Sequence, residues 1–251
     1  MEMITGILAK REVYKVANIL VCDDDKEIAG AIEIYLRNEG YNVFKAYNGF
    51  QALEIARKET LHLIIMDIMM PNMDGVAATM KIREEQNIPI IMLSAKSEDY
   101  DKITGLNVGA DDYVTKPFNP LELIARVKSQ LRRYVRLGSL SGQEASKGNV
   151  YESGGLVIDD NEKTVTVDGE HIAVTPTEYG ILKLLTANAG RVYSIEQIYE
   201  AVWKEPAYSP ENTVAVHIRR IREKIEIDPK NPRYLKVVWG IGYKIEKIRR
   251  G

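Results

Sequence analysis

Side chains that suit phosphoryl transfer follow four short apolar runs in the first half of the chain. Each lies at or just beyond the end of its run, and they are Asp23, Asp24, Asp67, Ser94 and Lys116. Three carboxylates held close together repel one another unless a cation joins them, and Mg²⁺ prefers such oxygen ligands. A carboxylate can accept a phosphoryl group as a nucleophile, while a metal ion and a lysine neutralise the phosphate oxygens. If these side chains converge, they predict phosphoryl transfer to one aspartate.

The apolar runs alternate with amphipathic segments, and this pattern predicts how the side chains would be brought together. Continuous apolar runs at 18–22, 63–66 and 88–93 are typical of strands that are buried on both faces. Strands that alternate with helices predict an α/β domain with a doubly wound, five-stranded parallel sheet. Ligands of such sheets bind outside the carboxyl ends of the strands, where these five side chains lie.

The second half of the chain has a different order of elements. Short strands are predicted over 156–160, 163–167 and 172–174. Helices are predicted over 176–187, 195–203 and 210–226. Two further strands, 235–238 and 242–245, predict a terminal hairpin. This order is that of an α+β winged helix-turn-helix domain.

Length and composition allow two globular domains. The chain has 251 residues, of which 45% are hydrophobic and 28% are charged, and no apolar run approaches the roughly 18 residues of a membrane span. The single cysteine, Cys22, excludes an internal disulfide and fits a reducing cytoplasm, with no membrane partner. The Gly- and Ser-rich stretch 137–153 predicts a flexible linker. We therefore expect a disordered leader or artificial extension over 1–17 and domains over 18–136 and 154–251.

Motifs at the predicted strand ends closely resemble a bacterial response-regulator receiver domain across residues 18–136. They are Val21-Cys-Asp-Asp-Asp25, Met66-Asp-Ile-Met-Met-Pro71, Asp74-Gly75, Leu93-Ser-Ala95 and Gly109-Ala-Asp-Asp-Tyr-Val-Thr-Lys-Pro-Phe118. The resemblance implies that Asp67 is the phosphoacceptor. It implies a Mg²⁺ (or Mn²⁺) site made by Asp24, Asp67 and the backbone carbonyl of Met69, with Asp23 acting through water.

The same resemblance assigns the residues that respond to the phosphate. Ser94 is the switch hydroxyl, Tyr113 is the switch aromatic residue, and Lys116 is the phosphate partner, with a cis Lys116–Pro117 peptide bond. Phosphorylation would reshape a face made of a predicted helix over 100–108, the strand 112–115 and the helix 121–136. By resemblance this face forms a homodimer through the cross-subunit pairs Lys102–Glu122, Asp112–Arg126 and Asp111–Arg133.

The C-terminal half resembles the effector domain of OmpR/PhoB-type regulators across about 154–247. The motifs are Thr175-Pro-Thr-Glu-Tyr179, Asn212-Thr-Val-Ala-Val-His-Ile-Arg-Arg-Ile-Arg-Glu-Lys224 and Val238-Trp-Gly-Ile-Gly-Tyr-Lys244. From residue 214 to the end there are eleven Lys/Arg and four Asp/Glu, a local net charge of +7 that suits an anionic partner.

The third predicted helix of this half has an apolar stripe and a basic remainder. The stripe consists of Val214, Ile218, Ile221 and Ile225, at helical spacing. A basic front on an apolar back suits a helix that reads the major groove of double-stranded promoter DNA. The resemblance implies DNA contacts by Asn212, His217, Arg219, Arg220, Arg222 and Tyr243. Trp239 stands where many relatives place an arginine that enters the minor groove.

Two other classes of protein are weighed against a phosphorylation-activated transcription regulator. A Mg²⁺-dependent phosphohydrolase of haloacid-dehalogenase type also uses an aspartate at a strand end, but its nucleophile lies on the first strand. Here the isolated Asp67 follows the run 63–66 and not the first strand, so we expect no turnover enzyme, only slow loss of the phosphate. A receiver that only docks to other proteins is disfavoured by the basic helix.

At a finer level the chain resembles VanR-type regulators of vancomycin resistance in Gram-positive bacteria. The resemblance rests on Asp99-Tyr-Asp-Lys-Ile-Thr-Gly-Leu106, Pro120-Leu-Glu-Leu-Ile-Ala-Arg-Val-Lys128 and Val237-Val-Trp-Gly-Ile-Gly-Tyr-Lys-Ile-Glu246. It implies a VanS-like sensor histidine kinase as partner, promoters of cell-wall precursor genes as targets, and RNA polymerase as a further partner.

Overall fold

A computed structural model describes residues 17–95, 109–138, 150–204 and 210–249 of the chain, without the side chains of 135–138 and 210–212. The chain divides into two compact units, of which the first ends at Tyr134 and the second begins at Val135. None of the helices in the described ranges is long and apolar enough to cross a membrane.

The first unit is an α/β sandwich built on one parallel sheet. Its elements are β1 (Asn18–Cys22), α1 (Lys26–Asn38), β2 (Asn42–Ala46), α2 (Gly49–Lys58), β3 (Leu63–Asp67), α3 (Gly75–Glu85), β4 (Ile90–Ala95), β5 (Asp112–Lys116) and α4 (Pro120–Gly138). The strand order is β2-β1-β3-β4-β5, and every neighbouring pair is parallel. The predicted five-stranded parallel sheet is confirmed. The predicted helix over 100–108 lies outside the described residues.

The central strands are buried on both faces, as their continuous apolar sequences predict. All five residues of β3 are buried, and α1 and α4 pack their apolar faces against one side of the sheet. Burying one large aliphatic side chain contributes about 1.5–3 kcal/mol, so this core holds the strand ends in place. Ala17, predicted to belong to the leader, is buried, and its carbonyl accepts a hydrogen bond from the Asn42 N–H (3.0 Å).

The second unit begins with an antiparallel sheet and continues into three helices and a hairpin. Its elements are β6 (Val150–Ser153), β7 (Leu156–Asp159), β8 (Thr164–Val167), β9 (Glu170–His171), α5 (Pro176–Ala187), α6 (Ile195–Trp203), α7 (Pro210–Ile225), β10 (Leu235–Val238) and β11 (Gly242–Ile245). The sheet order is β6-β7-β8-β9, and β10 pairs with β11. The predicted three helices and terminal hairpin of a winged helix-turn-helix domain are confirmed.

Two predicted bounds in this half differ from the structure, and 139–149 of the predicted linker lie outside the described residues. The predicted linker over 137–153 includes the end of α4 and the whole of β6, because β6 pairs with β7 in register and extends the sheet. The strand that was predicted over 172–174 is instead β9, Glu170–His171. The tight turn at Asp168 and Gly169, both with positive φ, returns the chain at once, so pairing with β8 starts directly after the turn.

A buried ion cluster joins α5 to α7. The Glu178 carboxylate lies 2.7 Å from the Lys224 ammonium and 3.1 Å from the Arg220 guanidinium, and its side chain is fully buried. The same carboxylate accepts the Thr175 N–H (2.8 Å), which completes the capping box at the start of α5. Burial favours the neutral acid, but the two cations outweigh it and hold the pKa of Glu178 below its ordinary value.

Candidate functional site

Strand register brings the predicted phosphoryl-transfer residues to one edge of the parallel sheet. Asp67 at the end of β3 lies opposite Leu93 of β4, and Ser94 follows Leu93 directly. Lys116 ends β5 opposite Ala95. Since β1 neighbours β3, the aspartates that follow β1 meet Asp67 at this edge. The convergence expected from the sequence is therefore present in the fold.

Three carboxylates form the centre of this site. Ligand oxygens of Asp23, Asp24 and Asp67 all lie within 4.8 Å of one another. Asp23 and Asp67 are buried, whereas Asp24 is exposed at the mouth of the site. The Lys116 ammonium lies 2.7 Å from Asp23 and 3.1 Å from Asp67. Lys116 therefore reaches the Asp67 carboxylate directly, and its peptide bond to Pro117 is cis.

The charge balance of the site leaves it short of positive charge. Burial, together with the negative charge of Asp23, raises the pKa of Asp67 to about 6 against the opposing effect of Lys116. Burial lowers the pKa of Lys116, but Asp23 and Asp67 outweigh it and hold that pKa above its ordinary value. Three carboxylates facing one ammonium carry two uncompensated negative charges. A hard divalent cation such as Mg²⁺ fits both this charge and the all-oxygen donor set.

Residues around the carboxylates fix their geometry. The Asp25 side chain accepts hydrogen bonds from the N–H groups of Glu27 and Ile28 and caps α1. Its carboxylate is therefore engaged in capping rather than in metal binding. A Cβ at position 75 would lie 2.0 Å from the Asp67 carbonyl oxygen. Only glycine allows α3 to start so close to the end of β3. The motif pointed to Gly75 as a turn residue, but this close contact was not predicted.

The remaining predicted receiver residues lie near the same edge. Ser94 is fully buried, and its hydroxyl donates to the Ala95 carbonyl (3.3 Å). Tyr113 is partly buried on β5. Met69 lies two residues beyond Asp67 with its side chain exposed, and the role of its carbonyl stays a prediction.

Residues predicted for a homodimer make contacts within the single chain. Arg126 donates to Asp112 (2.9 Å) and to Glu122 (3.0 Å), and all three lie on β5 or α4. Asp111 is fully buried and bonds Arg83 (2.7 Å). Arg133 donates to the Ser129 hydroxyl (2.9 Å). Lys102 lies outside the described residues. Asp111 and Asp112 are both buried within the single chain, and the cross-subunit pairs stay predictions.

The apolar stripe of α7 is confirmed, since Val214, Ile218, Ile221 and Ile225 are all buried. The buried face is, however, wider than this stripe. His217 is fully buried, 5.5 Å from the Trp203 ring centroid.

Arg220 is also buried, beside Glu178. Neither His217 nor Arg220 is exposed, as a side chain that contacts DNA would have to be, and this differs from the prediction. Arg219 is exposed and pairs with Glu223 (3.0 Å). The Asn212 side chain lies outside the described part of the chain.

The hairpin β10–β11, which we call the wing, is anchored at Tyr243. The backbone of Tyr243 exchanges two hydrogen bonds of 2.9 Å with Tyr193, just before α6. Gly242 has a φ of +154°, and a Cβ there would lie 2.0 Å from the Tyr193 carbonyl oxygen. Trp239 at the tip is 89% exposed and Ile241 is 61% exposed. The wing thus presents an apolar tip from a fixed base.

A receiver-type acidic pocket on a parallel sheet, followed by a winged helix with a basic helix, defines a two-domain response regulator. Residues 19–128 match the family model of the response regulator receiver domain, and residues 169–245 match that of the transcriptional regulatory protein, C terminal. The chain belongs to the OmpR/PhoB-type family of two-component response regulators that bind DNA.

Individual relatives agree with this assignment. The chain is 48% identical over 230 residues to the regulatory protein VanR of Enterococcus faecium, which covers 91% of this chain and 98% of that protein. It is 46% identical to the regulatory protein VanRc of Enterococcus gallinarum over 229 residues, with the same coverage. A solved structure of a RitR mutant superposes with a TM-score of 0.70 at 26% identity and covers 94% of this chain and 100% of that chain.

Proposed function

We propose that a sensor histidine kinase phosphorylates Asp67 and that phosphorylation activates the protein to bind and regulate its target promoter. The observation that supports this most is the Asp67 carboxylate, buried beside Lys116 and facing Asp23 and Asp24. The carboxylate attacks phosphorus, and the bond between phosphorus and the kinase histidine breaks. The Lys116 ammonium, which already lies 3.1 Å from Asp67, then neutralises one phosphate oxygen.

The metal site that we propose uses residues of this pocket. Asp24, Asp67 and the Met69 carbonyl would hold Mg²⁺ (or Mn²⁺), with Asp23 bound through water. When bound, the ion supplies positive charge for the phosphate oxygens. Asp23 is also held in place by the Asp25 N–H (3.0 Å) and by Lys116, so it is fixed before a phosphoryl donor arrives. We propose one phosphate per chain and slow loss rather than turnover.

The biological target that we propose is a set of glycopeptide (vancomycin) resistance genes. Support comes from 48% identity to VanR over nearly its whole length. A VanS-like membrane kinase would then be the phosphoryl donor, and RNA polymerase would be contacted at the promoter. The phosphohydrolase alternative lacks support, because the candidate nucleophile lies on β3 and a winged helix follows.

Arg219 is the arginine of α7 that we propose for reading a base, because it is the exposed one on that helix. Replacing it by alanine should weaken operator binding by about 1–3 kcal/mol and relax preference at one base pair. Binding should also fall with salt, with a slope of about −0.9 in log K per phosphate contact. Competition with a DNA duplex selected from a random pool measures both effects.

A matched control is Arg37→Ala, which removes an exposed, Glu33-paired arginine from α1 of the other unit. It should change neither base preference nor the salt slope. Normal operator binding and unchanged base preference in Arg219→Ala would place the reading helix elsewhere.

We propose that phosphorylation dimerises the receiver through the face formed by β5 and α4. Arg126 and Asp112 already pair within one chain, and Asp112 is buried there. In a two-fold dimer Asp112 would have to become accessible, and Arg126 would exchange its carboxylate partners for those of the second chain. Glu122 lies on the same face and is half exposed, and Arg133 lies two turns beyond Arg126. Lys102 remains a predicted partner of Glu122. One exposed pair contributes only about 0–1 kcal/mol, so the network must act together.

Sedimentation with beryllofluoride should show this chain shifting from monomer to dimer. Arg126→Glu should block the shift, and adding Asp112→Arg should restore it by reversing the pair. Arg57→Glu, which breaks an exposed pair with Glu85 on α2 and α3, should dimerise normally. A phosphorylated chain that binds DNA while remaining a monomer would rule out this mechanism.

A further inference from the structure

The end of α7 bonds the chain that leads into the wing. Glu226, the residue after α7, is buried, and its carboxylate accepts three successive backbone N–H groups. These are the N–H groups of Arg233 (2.6 Å), Tyr234 (2.9 Å) and Leu235 (2.8 Å). One helical turn earlier, the Arg222 Nε donates to the Leu235 carbonyl (3.0 Å). We call Arg222 and Glu226 the wing clamp.

The wing clamp occupies the outer side of β10. In the register of the wing, Leu235 lies opposite Ile245, while the neighbouring Tyr234 carbonyl bonds the Glu246 N–H (2.8 Å). Hydrogen-bonded positions alternate in an antiparallel pair, so the N–H and carbonyl of Leu235 point away from β11. Glu226 takes the first of these groups and Arg222 takes the second. Arg222 of α7 and Glu226, the residue after this helix, thus supply the bonds that a third strand would make.

A two-stranded hairpin is marginally stable by itself, so the wing needs such outside support. Hydrogen bonds to a carboxylate are among the stronger ones, and burial strengthens them further. The backbone bonds between Tyr193 and Tyr243 and from the Gly190 N–H to the Ile245 carbonyl (2.8 Å) hold β11 rather than β10. The clamp is therefore what ties the strand leading to the tip to α7 itself.

The wing and the segment that leads into it carry the positive charge that DNA binding requires. From Pro229 to Ile245 the sequence contains four Lys or Arg and neither Asp nor Glu. We propose that Arg222 and Glu226 are positioning residues that hold the wing in a fixed register with α7, so that both contact DNA as one rigid unit. This rests on the proposed DNA-binding function. Arg222 acts here through Leu235, which differs from the base contact predicted from the sequence.

The test replaces Glu226 by glutamine in the full chain. The amide keeps one acceptor oxygen but turns an NH₂ group towards backbone donors, so the clamp is lost with little change in volume. Affinity for the duplex selected by the unchanged protein should fall about tenfold, since about 1.4 kcal/mol of wing contact is lost. Amide hydrogen exchange should accelerate over 233–238 and 242–245 and stay unchanged in α5, α6 and the described part of α7.

The matched control is Glu170→Gln, the same change on an exposed residue of β9 in the same unit. It should alter neither the affinity nor the exchange of the wing. A second variant, Arg222→Ala, should weaken binding to all sequences without relaxing base preference, which separates positioning from base reading.

Three results would overturn the proposal: unchanged affinity in Glu226→Gln, faster exchange throughout α5–α7, or relaxed base preference in Arg222→Ala. Failure of the proposed function is recognised separately, because the unchanged protein itself would then bind no selected duplex. If the unchanged protein binds and Glu226→Gln binds equally well, only the clamp is refuted.

Discussion

The Asp67→Asn variant is expected to take up no phosphate from acetyl phosphate, whereas the unchanged protein takes up one phosphate per chain. The amide has no negatively charged oxygen to attack phosphorus, and it is otherwise close in size and shape to the carboxylate. Asp67 ends β3, lies 3.1 Å from the Lys116 ammonium and faces both Asp23 and Asp24. Intact-protein mass spectrometry in the presence of Mg²⁺ measures the uptake.

Asp25→Asn is the matched control for this change. Asp25 belongs to the same run of three aspartates, but its side chain caps α1, and asparagine caps a helix as well as aspartate does. The control should be phosphorylated normally. Equal labelling of the Asp67→Asn variant would show that another residue is the phosphoacceptor.

The second large effect is expected at Glu178, in the buried cluster of the DNA-binding unit. Glutamine can keep the capping box with Thr175, so Glu178→Gln removes little besides the negative charge. The positive charges of Arg220 and Lys224 then lose the carboxylate that faces them. Removing one partner of a buried ion pair costs about 3–5 kcal/mol. Urea unfolding of the full chain, followed by circular dichroism, should show this loss in the transition of the second unit.

Glu223→Gln breaks an exposed pair with Arg219 and should cost at most about 1 kcal/mol. The two variants also differ in pH dependence. The folded-state pKa of Glu178 lies below its ordinary value of 4.5. Its contribution is therefore complete above about pH 4.5 and is lost as the pH falls through the folded-state pKa. The Glu178→Gln variant should lack this acid-dependent loss. Equal stability of the Glu178→Gln variant and the unchanged protein at pH 7 would show that the ion cluster does not stabilise this unit.

The strands and the pocket of the receiver were predictable because their signals are local. Each central strand is a continuous apolar run, and parallel strands place their carboxyl ends at one edge, so Asp67 and Lys116 had to meet near Asp23. The extent of β6 was not predictable in the same way. Four residues with mixed polarity form a strand there because β7 offers a paired edge.

The DNA-binding face was harder to predict because burial on α7 comes from two sides. His217 and Arg220 are three residues apart and lie next to the apolar stripe. Trp203 of α6 packs against His217, and Glu178 of α5 pairs with Arg220. The buried partner of Arg220 is a glutamate inside another helix, 42 positions away in the sequence. The sequence places Glu178 three residues after the capping residue Thr175, but it does not say which cations this carboxylate faces.

Both tryptophans of the chain lie in its second half, and their surroundings are opposite. Trp203 is fully buried and stacks on Tyr199 with ring centroids 4.7 Å apart, whereas Trp239 stands at the wing tip in water. Tryptophan fluorescence therefore comes entirely from the DNA-binding unit. The emission of Trp203 differs from that of Trp239 in wavelength and in access to a dissolved quencher. Trp239 is thus an intrinsic fluorescent probe of the wing, and the receiver contributes no tryptophan fluorescence.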